Sequence, residues 1–191
     1  VITIEVLVRL AAADPWGFTV LDTLRRKVGF EEIMAVTRMK SWRLDFEMES
    51  REGVLEITQR LMQETALLAN PNRDIWTVSD PRQKGLPENL WKRQKEDVTA
   101  FAVRVTDKED LVGKSLARVL KSRLGIAEIA DVHFSSVWVL EMWDGEPRAR
   151  AIARDVAVSR SWRKGLLSNP HFQDAEIFAA DEYASQNEVR A

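Results

Sequence analysis

The chain repeats itself at a spacing close to 96 residues, and nothing else in it constrains the fold as much. Two similar segments in one polypeptide must build two similar substructures and then bury the surfaces that each leaves open. Gly17 is answered by Gly113, Leu24 by Leu120, Gly29 by Gly125, Glu32 and Ile33 by Glu128 and Ile129, Val36 by Val132, Trp42 by Trp138, and Leu44 by Leu140. Earlier in the chain Val8-Arg9-Leu10 matches Val103-Arg104-Val105 at a spacing of 95. Later, Leu67-Leu68-Ala69-Asn70-Pro71 matches Leu166-Leu167-Ser168-Asn169-Pro170 at 99. An ordered series of this kind predicts a tandem duplication, with the drift absorbed by loop insertions.

The first copy is expected over 1–80 and a divergent second over 97–183, joined by a linker over 81–96. In that linker Pro81, Gly85 and Pro87 among polar neighbours oppose both helix and ladder hydrogen bonding, while Leu86, Leu90 and Trp91 are apolar enough to lie on a domain surface. The polar tail over 184–191 is expected to fray.

Within the first copy Ile2, Ile4, Val6, Val8 and Leu10 alternate with polar residues, the period of a half-buried strand. Asp14-Pro15 is a helix start, an N-cap acceptor followed by a proline whose missing N–H costs nothing. Val20, Leu21, Leu24 and Val28 then form one stripe, and Gly29 ends the helix where positive φ is cheap. Ile33 to Arg38 and Ser41 to Met48 read as a hairpin. A second helix turns Val54, Ile57, Leu61 and Leu68 inward and stops at Asn70-Pro71, since the residue before proline leaves the α region. Asp74 to Val78 closes the copy as a strand. The second copy follows with strands at 98–105, 128–134, 137–143 and 175–179 and helices at 111–124 and 148–167.

The predicted class is therefore α+β: two tandem βαββαβ copies, each an antiparallel sheet with its helices on one face, packed as an internal pseudo-dimer. Each copy alone would leave a sheet face or edge open, which pairing solves. Trp42 and Trp138, on equivalent strands, either line the shared interface or fill the core of their own copy.

Composition narrows the function. A net charge of −2 supplies no basic field for nucleic acid or anionic lipid, and no apolar run approaches the ~20 residues of a membrane span. There is no Cys, which removes disulfides, thiolate nucleophiles and zinc-cysteine sites. A soluble, cytoplasmic protein is expected, and the opening on Val1 leaves room for a longer natural chain.

The first copy's Asp14-Pro15-x-Gly17, Val28-Gly29-Phe30, Val36-x-Arg38-x-Lys40 with Leu44 beyond, and Leu67 to Pro71 together resemble the PurS family, the small subunit of phosphoribosylformylglycinamidine (FGAM) synthase. Met39 and Asn72 depart from the family pattern. In the second copy Leu111-Val112 stands before Gly113 and Phe134-Ser135-Ser136 replaces the Arg-x-Lys stretch, while Gly113, Leu124-Gly125-Ile126 and the block ending in Asn169-Pro170 remain. The resemblance implies a component of purine biosynthesis without chemistry of its own. PurS-like subunits form dimers that hold a glutaminase (PurQ-like) subunit against an ATP-dependent synthetase (PurL-like) subunit, so that ammonia passes between them. It also implies that Arg38 and Lys40 face a partner; as residues they read equally as solvated charges on an exposed strand. No catalytic residue, cofactor or metal is expected. Further self-association stays open.

Competing signals are weaker. Gly113-Lys114-Ser115 lacks the upstream glycine of a phosphate loop, Lys108 standing in its place. His133 and His171 sit in different elements with no matching carboxylate spacing, and no nucleophile elbow is present. Arg148, Arg150, Arg154, Arg160, Arg163 and Lys164 make the fourth helix basic, but Ala149, Ile152, Ala153 and Val156 give it an ordinary apolar stripe. The alternatives are a small-metabolite regulatory module of duplicated βαββαβ type and a nucleic-acid binder using that basic helix.

Overall fold

In the computed structural model, residues 1–93, 97–160 and 165–183 are described; the tail at 184–191 and the basic residues Arg163 and Lys164 lie outside them. Elements run β1 (Ile2–Leu10), α1 (Pro15–Thr23) continuing as a π-helical turn over Leu24–Val28, β2 (Ile33–Phe46), α2 (Arg51–Glu64), β3 (Asp74–Ser79), β4 (Thr99–Asp107), α3 (Leu111–Leu124), β5 (Ile129–Met142), α4 (Glu146–Ala157) and β6 (Gln173–Ala179).

Each half is thus βαβαβ, not βαββαβ. Ile33–Phe46 holds no glycine, proline or asparagine to turn the chain, and it runs as one strand of 14 residues where a hairpin was expected. Ile129–Met142 does the same in the second half. The length has a use: β2 pairs with β5 along its whole course, from Ile33 opposite Met142 to Phe46 opposite Ile129. That pairing also corrects the expectation of two sheets, because the halves share a single six-stranded antiparallel sheet in the order β3-β1-β2-β5-β4-β6.

The register has two-fold character. Trp42 lies opposite Phe134 and Arg38 opposite Trp138, equidistant from a central pair, Lys40 and Ser136. Val8 lies opposite Lys40 and Val105 opposite Ser136, so Val8 corresponds to Val105 and not to Val103. A slip of two residues keeps every side chain on its face, so alternation alone cannot detect it.

The described helices cover one face and tie the halves together. Leu116, Ala117 and Leu120 of α3 join Val54, Leu61 and Met62 of α2 over Ile4, Val6, Trp42, Leu44 and Val132. Leu24 from the end of the first helix joins Ala149, Ile152 and Ala153 of α4 over Phe101, Val103, Trp138 and Leu140. Both clusters mix the halves, and each fully buried Leu, Val or Ile contributes roughly 1.5–3 kcal/mol. Over the opposite face, Leu86 and Leu90 of the linker and Ala180 and Tyr183 cover Leu7, Met39, Val137 and Val139.

Two helices end earlier than expected. α2 stops at Glu64, where Thr65 turns its hydroxyl back onto the Leu61 carbonyl, and Leu68 is buried from the loop that follows. α4 stops at Ala157 because its last carbonyls are taken by another segment: Leu166 N–H donates to Val156 O at 2.9 Å and the Ser168 hydroxyl to Ala157 O at 2.6 Å.

Candidate functional site

The first helix begins where a helix must approach a strand edge. Asp14 Oδ1 accepts the Trp16 N–H at 2.9 Å, with Pro15 in the first turn, and Gly17 then packs so closely on β2 that a Cβ there would stand 2.8 Å from Val36 O. The second half repeats the arrangement 96 residues on: a Cβ at Gly113 would stand 2.2 Å from Val132 O. The glycines answer each other for this reason. Asp110, 96 residues after Asp14, caps the second start, its Oδ1 accepting Gly113 N–H and its Oδ2 Phe134 N–H, each at 2.7 Å. Motif reading around Leu111-Val112 missed this residue, although its spacing from Asp14 marks it. Gly29 (φ +93°) and Gly125 (φ +67°) close the two helical segments in the left-handed region.

The Asn-Pro turns also match. Asn70 Oδ1 accepts Asn72 N–H and Asn169 Oδ1 accepts His171 N–H, both at 3.0 Å. Asp74 Oδ2 accepts Asn70 N–H at 2.9 Å, and Gln173 Oε1 accepts Asn169 N–H at 3.0 Å. Pro71 and Pro170 are exposed at the tips of these turns.

Between the start of α1 and the turn after Pro71 lies an open cleft of about 220 Å³, lined among others by Trp16, Arg38, Lys40, Arg73 and Asp74, with Arg9 and Asp14 at its edge. Arg38 is half-buried. Its guanidinium lies 5.5 Å from the Trp16 ring centroid and 5.3 Å from that of Trp138, a stack of indole, cation and indole. Its Nε, like that of Arg9, is buried without a hydrogen-bond partner, a state that costs roughly 1–3 kcal/mol per donor. Neither Arg38 nor Lys40 pairs with a carboxylate among the described residues. Trp16 keeps 64% of its surface exposed and Phe18, beside a neighbouring hollow of about 470 Å³, keeps 63%.

The second half keeps the scaffold and loses the charges. The registers and spacings place Thr106 where Arg9 stands, Phe134 for Arg38, Ser136 for Lys40 and Phe172 for Arg73. Leu111, Val112 and Phe172 are exposed around that counterpart, where Lys108 donates to Pro170 O at 2.8 Å. The place beside α1 carries more cations, and its two-fold counterpart more exposed apolar surface.

The tryptophans take part in both readings offered for them. Trp42 packs its ring 4.6 Å from that of Phe134 across the seam and donates Nε1–H to Leu68 O of its own half at 3.0 Å. Trp138 lies beneath Arg38.

Elsewhere charge is spent on holding segments. Glu5, on the linker face, accepts from Ser41 Oγ at 2.5 Å and from the Tyr183 hydroxyl at 2.8 Å; burial, with Glu5 beside it, pushes the Tyr183 pKa up. Glu141 accepts Trp91 Nε1–H at 2.7 Å, and burial raises its carboxyl above the usual range. On α4, Arg148 pairs with Asp144 and Glu32, and Arg150 with Glu146. No group of three or more His, Asp or Glu able to hold a metal occurs among the described residues, and no described helix is long and apolar enough to cross a membrane.

The molecule is thus a helix-backed antiparallel α+β module with an open cationic cleft beside the start of α1. The model of the PurS family, described as phosphoribosylformylglycinamidine (FGAM) synthase, matches residues 1–79, so the first half is a PurS family domain. Membership implies a role in FGAM synthase and purine biosynthesis. No curated protein matches the chain.

Proposed function

We propose that the chain is a non-catalytic assembly component of FGAM synthase, acting in the cytoplasm, which holds a glutaminase subunit against an ATP-dependent synthetase subunit for ammonia transfer. In this reading residues 97–183 are a diverged second PurS copy, and the chain is a covalent form of a PurS dimer. The observation that carries it is the contrast between two-fold-related surfaces. A symmetric dimer presents the same surface twice, whereas this chain presents Arg38, Lys40 and Arg73 beside the start of α1, and exposed Leu111, Val112 and Phe172 at the two-fold-related place beside the start of α3. Two unlike surfaces suit two unlike partners. Mixing the chain with a synthetase and a glutaminase subunit, glutamine and ADP, followed by sizing, is expected to yield one complex containing all three. Absence of co-elution under every combination would remove the reading.

A further inference from the structure

We propose that the cleft beside Trp16 binds a phosphorylated small molecule, with Arg38, Lys40 and Arg73 on the phosphate. The cleft is concave and about 220 Å³ in volume, room for a phosphate and a small part of what carries it. Arg38 is held between two indoles; its Nε is sealed inside the protein, so the outer Nη groups are the ones that can reach the cleft, and they pair with no carboxylate among the described residues. A rigid guanidinium fork with open donors is suited to paired oxygens of an oxyanion.

Charge decides which oxyanion. Four cations, Arg9, Arg38, Lys40 and Arg73, line the cleft against two carboxylates, Asp14 accepting Trp16 N–H and Asp74 accepting Asn70 N–H and, at 3.4 Å, Arg73 Nε. The excess of two positive charges matches a phosphate monoester, which carries about −1.5 to −2 at neutral pH, better than a single carboxylate. Trp16, largely exposed at the mouth, offers a face on which a ring attached to the phosphate can stack.

The second half supplies the internal comparison. Asp110 keeps the place of Asp14, and Gly113, Asn169 and Pro170 keep the helix start and turn beside it, yet the four cationic positions have become Thr106, Phe134, Ser136 and Phe172. Loss of these four cations, with the frame intact and Lys108 committed to the Pro170 carbonyl, is the mark of a ligand site retained on one side only.

The proposal concerns the chain by itself, so its test needs no partner. Calorimetric titration of the full chain with inorganic phosphate and with adenosine 5′-monophosphate, at ionic strength fixed with chloride, is expected to show saturable binding, tighter for the nucleotide. Arg38→Gln and Lys40→Gln are each expected to weaken it at least tenfold, with circular-dichroism melts confirming that both fold, while Ser136→Ala leaves it unchanged. The proposal is overturned by absence of binding to both phosphates at 10 mM (roughly the weakest affinity still specific), by undiminished binding in both cleft variants, or by acetate binding as tightly as phosphate. Failure here leaves assembly with the two enzyme subunits intact, and failure of assembly leaves this binding intact.

Discussion

Lys40 of β2 pairs with Ser136 of β5, and the two residues are 96 apart, the spacing of the repeat itself. A residue that faces its own counterpart marks the position of a two-fold axis, and the ladder runs symmetrically away from it on both sides. In a dimer of identical copies Lys40 would face Lys40, and like charges directly opposite in a sheet are destabilising. The serine removes that repulsion.

The seam predicts how the halves depend on each other. Trp42→Ala removes a ring that packs on Phe134 across the seam and shares a buried cluster with α2 and α3, and it is expected to cost about 3–5 kcal/mol in urea unfolding. Unfolding should stay a single transition seen alike by fluorescence and circular dichroism. Two separated transitions would mean that the halves are stable apart.

Gly17 and Gly113 are predicted to be unequal. The Cβ of Gly113→Ala would meet Val132 O at 2.2 Å and Asp110 Oδ2 at 2.3 Å, whereas that of Gly17→Ala would meet Val36 O at 2.8 Å. Both substitutions push a helix start away from a strand edge, and losses of roughly 1–3 kcal/mol are expected, larger at Gly113. Denaturant midpoints of the two variants rank them directly.

Asp80 fastens the linker to the first half. Its carboxylate meets Arg51 of α2 at 2.8 Å and Arg82 at 3.0 Å, and the Arg82 hydrogen bond, outweighing the effect of burial, holds its pKa at about 2. A carboxyl lowered by folding stabilises the protein above its unfolded pKa, near 3.8, and loses that contribution as pH falls toward 2. Asp80→Asn is expected to lower stability at pH 7 by no more than about 1 kcal/mol, since the group is partly exposed, and to flatten the stability profile between those pH values.

Glu141 carries the opposite sign. Burial raises its pKa against the weaker pull of Trp91 and Arg93, so the folded state favours the protonated form and stability falls as pH rises through the folded pKa. One oxygen accepts from Trp91 while the other has no partner. Glu141→Gln removes the buried charge and keeps the acceptor, and a gain of about 1 kcal/mol at pH 7, shrinking toward pH 4, is expected from thermal melts.

What could be read from the sequence was what is encoded locally. The Asp14-Pro15 start, the glycine stops and the Asn-Pro turns all appear where residue chemistry places them; β1 forms, but it is not half-buried as its alternation predicts, because Glu5 and Leu7 on its second face are also buried. The expected turn at Met39-Lys40 is not formed, Met39 being buried in the core; only the partner strand across the seam shows why the chain continues straight. The single sheet and the two-residue slip in β4 depend on pairing between distant segments, to which periodicity is blind. Arg38 and Lys40 stood out in the sequence, but Trp16, Arg9 and Arg73 join them only through three further segments of the fold. Comparing the halves at spacings of 96 and 99 carries part of that signal, setting Phe134, Ser136 and Phe172 against Arg38, Lys40 and Arg73; the sequence match sets Arg9 against Arg104, and only the register sets it against Thr106.

The account rests on two unlike surfaces serving two unlike partners, and paired variants test it most directly. Arg38→Gln with Lys40→Glu alters the cleft beside α1, and Leu111→Asp with Phe172→Asp alters its two-fold counterpart, where both residues are exposed. Sizing with the synthetase and glutaminase subunits is predicted to show each double variant losing one subunit and retaining the other, with the retained subunit differing between the two. Loss of both subunits by either variant, or of neither by both, would contradict it.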